Sequence, residues 1–91
     1  MGVLEQILSS RVRAQIFKLL FDGTEKELHV REIARRAGLA DGTVRQELAK
    51  LLKLDLLKSR KDSNRLYYRA NKEHPLYSDI YNLVIKTIGM N

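Results

Sequence analysis

The stretch Val30 to Leu57, VREIARRAGLADGTVRQELAKLLKLDLL, decides the fold. Within Arg31 to Ala37 the residues Ile33, Ala34 and Ala37 line one face of a helix about two turns long. Gly38-Leu39-Ala40 breaks that helix, and Asp41 stands where an N-cap oxygen is needed for a new one running from Gly42 to about Leu54. Helical spacing turns Val44, Leu48, Leu51 and Leu52 inward and leaves Thr43, Arg45, Gln46, Glu47, Ala49, Lys50 and Lys53 outward. Two helices joined by so short a glycine-containing turn make a helix-turn-helix unit.

Working outward, Leu28-His29-Val30 reads as a short extended piece behind a polar loop, Thr24 to Glu27. Before it, Ser10 to Phe21 repeats Val12, Ile16, Leu19 and Leu20 at helical spacing, with Arg11, Arg13, Gln15 and Lys18 opposite. Ser9 or Ser10 can cap that helix and Asp22-Gly23 ends it. Val3, Leu4, Ile7 and Leu8 suggest a short leading helix, stable only through packing. Downstream, Leu56 to Lys61 and Arg65 to Ala70 are extended runs on either side of Asp62-Ser63-Asn64, the pattern of a β-hairpin. Its second strand alternates Leu66 and Tyr68 with Tyr67 and Arg69, so Leu66 and Tyr68 are expected to share the inward face. Pro75 stands just inside a last helix that is apolar around most of its girth, with Leu76, Tyr77, Ile80, Tyr81, Leu83, Val84, Ile85 and Ile88. The expected class is mainly α with a small β-hairpin: a three-helix core, a wing and an extra C-terminal helix, in a single domain over 1–91.

Composition narrows the function classes. With no cysteine the chain has no disulfide framework and no thiolate nucleophile or sulfur-ligated zinc, and a reducing cytoplasm suits it. Met1 to Leu8 lacks the basic flank and long apolar run of a signal peptide, and the longest apolar runs fall far below the roughly 20 residues that span a bilayer. No membrane association is expected. The net charge of +6 and pI near 9.8 favour a polyanionic partner, provided the charges sit on elements that can meet it together. His29 and His74 stand far apart in sequence, which suits structural roles, the second as a cap of the last helix, better than metal ligation. There is no glycine-rich phosphate loop and no catalytic spacing of carboxylates and histidines, so the chain is not expected to be an enzyme or to need a cofactor.

The order of elements, with Glu32-Ile33-Ala34-Arg35-Arg36-Ala37-Gly38-Leu39, then Thr43-Val44-Arg45-Gln46-Glu47-Leu48, then Asp55-Leu56-Leu57, resembles the winged helix-turn-helix regulators of the ArsR-like group over nearly the whole chain. The resemblance implies sequence-specific binding of double-stranded DNA by a transcriptional repressor. It departs from the group's metal sensors, whose ligand sets are rich in cysteine or histidine. A major groove about 12 Å wide admits one helix, so the helix from Gly42 is the expected reader. Gly42 and Thr43 allow close approach, Arg45 and Gln46 carry groups that suit guanine and adenine, and Lys50 reaches a base or a phosphate. Glu47 is expected to pair within the helix with Lys50 or Arg45.

Phosphate contacts are expected from Lys58, Arg60, Lys61, Asn64 and Arg65 on the hairpin and from Arg31, Arg35 and Arg36 on the preceding helix. Ser10, Arg11 and Arg13 are further candidates, while Arg31 or Arg35 can instead pair with Glu27 or Glu32. The last helix offers a second apolar stripe, and Tyr77, Tyr81, Val84, Ile85 and Ile88, with Leu4, Ile7 and Leu8, are the expected contacts of a homodimer. The competing reading is an adaptor that binds a protein encoded nearby, such as a nucleotidyltransferase-like or toxin-like partner.

Overall fold

Ser10 starts the first described helix: its Oγ accepts from the Arg13 amide at 3.2 Å, satisfying one of the amides that a helix N-terminus leaves without a partner. The computed structural model describes residues 10–89; the leading segment, with Leu4, Ile7 and Leu8, and the side chain of Ile88 lie outside the described residues. Helix α1 spans Arg11–Leu20 and buries Ile16, Phe17 and Leu20, followed by Phe21. Of the expected stripe Ile16 and Leu20 are buried and Val12 and Leu19 only partly so, while Phe17, which that stripe lacks, is fully buried. The stripe is wider and shifted because α1 is wrapped from several sides, packing on both helices of the helix-turn-helix, on the sheet and on the last helix.

Strand β1, Leu28–His29, leads straight into α2, Val30–Ala37. Gly38, at φ +70°, closes α2 in the left-handed conformation, and the Leu39 amide donates back to the Ala34 carbonyl at 2.9 Å. Helix α3 is Asp41–Lys53. Its N-cap is Ala40, without a side-chain hydrogen bond, so the capping role expected of Asp41 is corrected: Asp41 is the first helical residue. From there its carboxylate still faces the positive end of the helix dipole. At the other end Asp55, at φ +62°, takes the left-handed position, with Leu56 N donating to Leu51 O and Asp55 N to Leu52 O, both at 3.0 Å.

Strands β2, Leu57–Asp62, and β3, Arg65–Ala70, form the hairpin, with Leu57 opposite Ala70 and Asp62 opposite Arg65. The ladder takes in Asp62 and leaves only Ser63 and Asn64 as the loop, Ser63 at φ +55°. Strand β1 joins the other edge of β3, Leu28 opposite Tyr68 and His29 opposite Tyr67, giving an antiparallel sheet in the order β1-β3-β2. Leu66 corrects the sequence reading: it is 46% exposed, whereas Tyr68, two residues on, is buried. The alternation is right, but the hairpin extends past the core, so its inward face has nothing to cover it near the tip.

Helix α4 spans Tyr77–Gly89. Pro75 falls before it, not inside it, in a turn where His74 Nδ1 accepts from Leu76 N and the His74 carbonyl from Tyr77 N, both at 3.0 Å. His74 thus serves the helix start as expected. Ile80 and Val84 close the core over α1, together with Leu48, Leu51, Leu56 and Leu57; full burial of each such side chain is worth about 1.5–3 kcal/mol. Phe21 sits between Phe17, edge-on at 4.9 Å, and Tyr77 at 5.5 Å.

Candidate nucleic-acid interface

The burial of Val44, Leu48 and Leu51 fixes the rotation of α3 and thereby turns Thr43, Arg45, Gln46 and Lys50 to the exposed side. Gly42 is exposed as well, and a Cβ built on it would meet nothing within 4 Å, so no packing among the described residues requires glycine there. Glu47 corrects the sequence reading. It is not on the outer face and does not pair within the helix; its side chain is 8% exposed and its Oε2 accepts from Arg13 Nε of α1 at 2.5 Å. The helical period allowed position 47 to lie beside Leu48 at the edge of the inward stripe, and only the placement of α1 brings a guanidinium to it. Arg13 is thus engaged by Glu47, and Ser10 Oγ accepts from the Arg13 amide while keeping its hydroxyl proton to donate.

On the hairpin Lys58, Arg60, Lys61, Asn64 and Arg65 are all exposed, and β2 packs against α3. Several of these cations already have partners within the chain. Lys58 Nζ lies 3.3 Å from Asp55 Oδ1. Arg60 makes a two-pronged pair with Glu27, lies 3.7 Å from Asp62, and has its guanidinium carbon 5.3 Å from the Tyr67 ring centroid. Arg65 approaches His29 Nε2 at 3.5 Å, and the His29 ring stands edge-on to Tyr67 at 5.8 Å, which gives that half-buried histidine a structural place on the sheet. On α2, Glu32 holds both Arg35 and Arg36, the latter at 2.6 Å, while Arg31 is exposed. Glu27 is taken by Arg60 and not by α2.

Hydrogen bonds from Arg60 hold the Glu27 carboxyl below the usual carboxylate range, and those from Arg36 and Arg35 do the same for Glu32. Exposed pairs of this kind are screened by water and contribute little, so a phosphate can displace the carboxylate from Arg35, Arg36 or Arg60 at small cost. The cationic surface is therefore partly masked, not absent.

Two contributors carried no sequence signal strong enough to single them out. Asn71, buried at the end of β3, donates from Nδ2 to the Asp55 carbonyl at 2.8 Å, and its own amide donates to the Leu56 carbonyl at 2.9 Å. Its Oδ1 accepts from Glu73 N at 3.1 Å, so this one side chain ties the base of the wing to the end of α3. Glu27, which the sequence offers only as a partner for α2, pairs with Arg60 of the wing.

Of the expected dimer contacts, Val84 is 4% exposed and Tyr77 packs against Phe21, so both serve the core of their own chain. Tyr81, stacked on Tyr77 at 6.2 Å, is half-buried, and Ile85 is 40% exposed. Between α1 and α4 an open groove of about 250 Å³ runs along Phe17, Lys18, Leu83 and Val84.

The sequence model of the family described as bacterial regulatory protein, arsR family, matches residues 10–59, from the cap of α1 into β2. The HTH-type transcriptional regulator KmtR of Mycobacterium tuberculosis is 32% identical over 69 residues, covering 66% of this chain and 53% of that protein. The chain thus spans about half the length of that curated relative. Among solved structures, the transcriptional repressor BigR from Xylella fastidiosa superposes with a TM-score of 0.76 at 23% identity, covering 96% of this chain and 81% of the other. HlyU from Vibrio cholerae gives 0.73 at 24% identity, covering 97% and 87%. At such identities the likeness is one of fold, a winged helix: β2 and β3 are the wing.

Proposed function

Since the chain belongs to the arsR family of bacterial regulatory proteins, we propose that it binds double-stranded DNA as a transcriptional repressor in the cytoplasm. The observation that carries this reading is the exposure of Thr43, Arg45 and Gln46 together on one side of α3, a side whose rotation is set by the buried Val44, Leu48 and Leu51. In this reading the first turns of α3 enter the major groove and read bases through Thr43, Arg45, Gln46 and Lys50, with Gly42 letting the backbone close in. Asn64, Arg65, Lys61, Lys58 and Arg60 grip phosphates or the minor groove from the wing, and Arg31, Arg35 and Arg36 add contacts from α2.

The active species is a homodimer paired through the outer face of α4, where Tyr81 and Ile85 present apolar surface, so that two copies of α3 meet half-sites about one DNA turn apart. A charged residue at Ile85 is expected to shift the chain toward monomer in sedimentation and to weaken DNA binding with it.

The test is a titration of the chain against its own upstream DNA between low and moderate salt. Retention with a steep log-log decline in affinity, as expected when roughly five to eight phosphates are neutralised per half-site, supports the regulator. A monomer that ignores duplex DNA and co-purifies with a protein encoded beside it points instead to an adaptor.

A further inference from the structure

Glu47 is the one charged residue on the inward stripe of α3, and it lies between the groups proposed to read DNA and helix α1. The geometry points to Arg13 and Glu47 as a positioning pair that refines the rotation of α3 about its own axis within the range that Val44, Leu48 and Leu51 leave open, making Arg13, which pairs with the inward face of α3, a determinant of base discrimination. This inference rests on the DNA-binding reading above.

Three observations carry it. The pair is largely withdrawn from water, with side-chain exposures of 17% for Arg13 and 8% for Glu47, and Arg13 Nε donates to Glu47 Oε2 at 2.5 Å. Arg13 is itself fixed at its backbone, because its amide is the one that the Ser10 cap holds at 3.2 Å. A continuous connection therefore runs from the start of α1 to the middle of α3. Glu47 also follows directly on Arg45 and Gln46 and is one turn from Thr43, so any rotation of position 47 is transmitted rigidly to all three.

The other contacts of that face, made by Val44, Leu48 and Leu51, are apolar. Apolar contacts are non-directional and tolerate small rotations with modest cost. A charge-assisted hydrogen bond is directional and weakens steeply when misaligned. The consequence is geometric: on a helix about 10–12 Å across, a turn of about 20° moves an outward side-chain tip by about 2 Å. That displacement exceeds the tolerance of the bidentate bonds by which arginine and glutamine distinguish bases, while a phosphate contact made by a long flexible lysine or arginine adapts.

The test uses duplexes selected by the wild-type chain from a randomised pool, compared with random duplex of equal length. In the double variant Arg13→Met with Glu47→Met the net charge is unchanged and two apolar side chains of similar reach replace the pair, a replacement that folded proteins commonly tolerate. It is expected to bind random duplex within about twofold of wild type with the same salt dependence, while its preference for selected duplex falls about tenfold or more. Arg13→Lys keeps the charge and the fold but loses the planar Nε–H; it is expected to lose at least about threefold of that preference. Unchanged preference in both variants overturns the positioning role. So does a parallel loss on selected and random duplex with a shallower salt slope, which would make Arg13 a phosphate contact. A wild-type chain that retains no duplex at all overturns the DNA-binding reading and the positioning role with it.

Discussion

Arg60 of the wing and Glu27 of the segment before β1 are joined by a forked ion pair, Nη2 to Oε1 at 2.9 Å and Nε to Oε2 at 3.1 Å, across 33 positions of sequence. The carboxylate occupies the Nε and Nη2 donors of the guanidinium. In the DNA-binding reading Glu27 therefore competes with DNA for Arg60, and it also braces β2 against the segment that leads into β1.

Glu27→Gln is expected to raise affinity for random and specific duplex alike by a few-fold and to steepen the salt dependence by up to about 0.9, the increment for one further phosphate. Fluorescence anisotropy across a salt series measures both. Lower affinity in the variant would mean that the pair orients Arg60 for DNA and does not compete for it.

Arg45 and Arg65 are expected to differ in kind. Arg45, exposed on α3, should on replacement by alanine lose about 1–3 kcal/mol at one base position and relax preference there, whereas Arg65→Ala weakens every sequence similarly and lowers the salt slope by about 1. Binding to a set of single-base operator variants distinguishes the two. Equal losses on specific and random DNA for both variants would refute this division of labour.

Asn71→Ala removes the hydrogen bonds to the Asp55 carbonyl and from the Glu73 amide, at about 0.5–1.5 kcal/mol each. For a domain of this size each kcal/mol lowers Tm by roughly 4–8 °C. Asn82→Ala on the exposed side of α4 serves as the control and is expected to stay within about 0.5 kcal/mol of wild type. Thermal denaturation of both variants tests the claim that Asn71 binds the wing to the end of α3.

Acid should lower the stability of the chain modestly through specific carboxylates, since these groups are largely screened by water. Glu27 is held low by its bonds from Arg60 and Glu32 by those from Arg36 and Arg35; at Asp22 burial pushes upward but is outweighed by bonds from Lys26 and Thr24. A group whose folded pKa is depressed adds stability that is present above its ordinary value and disappears as pH falls through the folded value. Tm is therefore expected to decline as pH drops below the ordinary glutamate value of 4.5. At the alkaline end Tyr77 works in the opposite sense. Burial foremost, then the nearby Tyr81 and Asp22, raise its pKa, so its contribution is present below the ordinary 10.0 and lost as pH rises through the raised value. A Tm that stays level from pH 6 to pH 3 would contradict the carboxylate argument.

Much of the architecture was legible in the chain alone, for reasons that lie within a few residues of each element. Ser10, Gly38 and the Ser63-Asn64 turn mark element ends because caps and left-handed turns are local chemistry. The period of Val44, Leu48 and Leu51 settles which side of α3 is wet because a helix has one repeat. What the sequence could not settle depends on which element arrives from far along the chain. Glu47 lies at the margin of its stripe, and it becomes a buried partner only because α1 sets Arg13 beside it, 34 positions away. Leu66 keeps its place in the alternation and is still exposed, since hairpin length relative to the core is a property of the assembled domain. Val84 and Ile85, adjacent and equally apolar, are divided between core and surface by the packing of α4 on α1. Periodicity and capping follow from covalent spacing, whereas the pairing of charges and the allocation of apolar surface between core and interface follow from long-range packing.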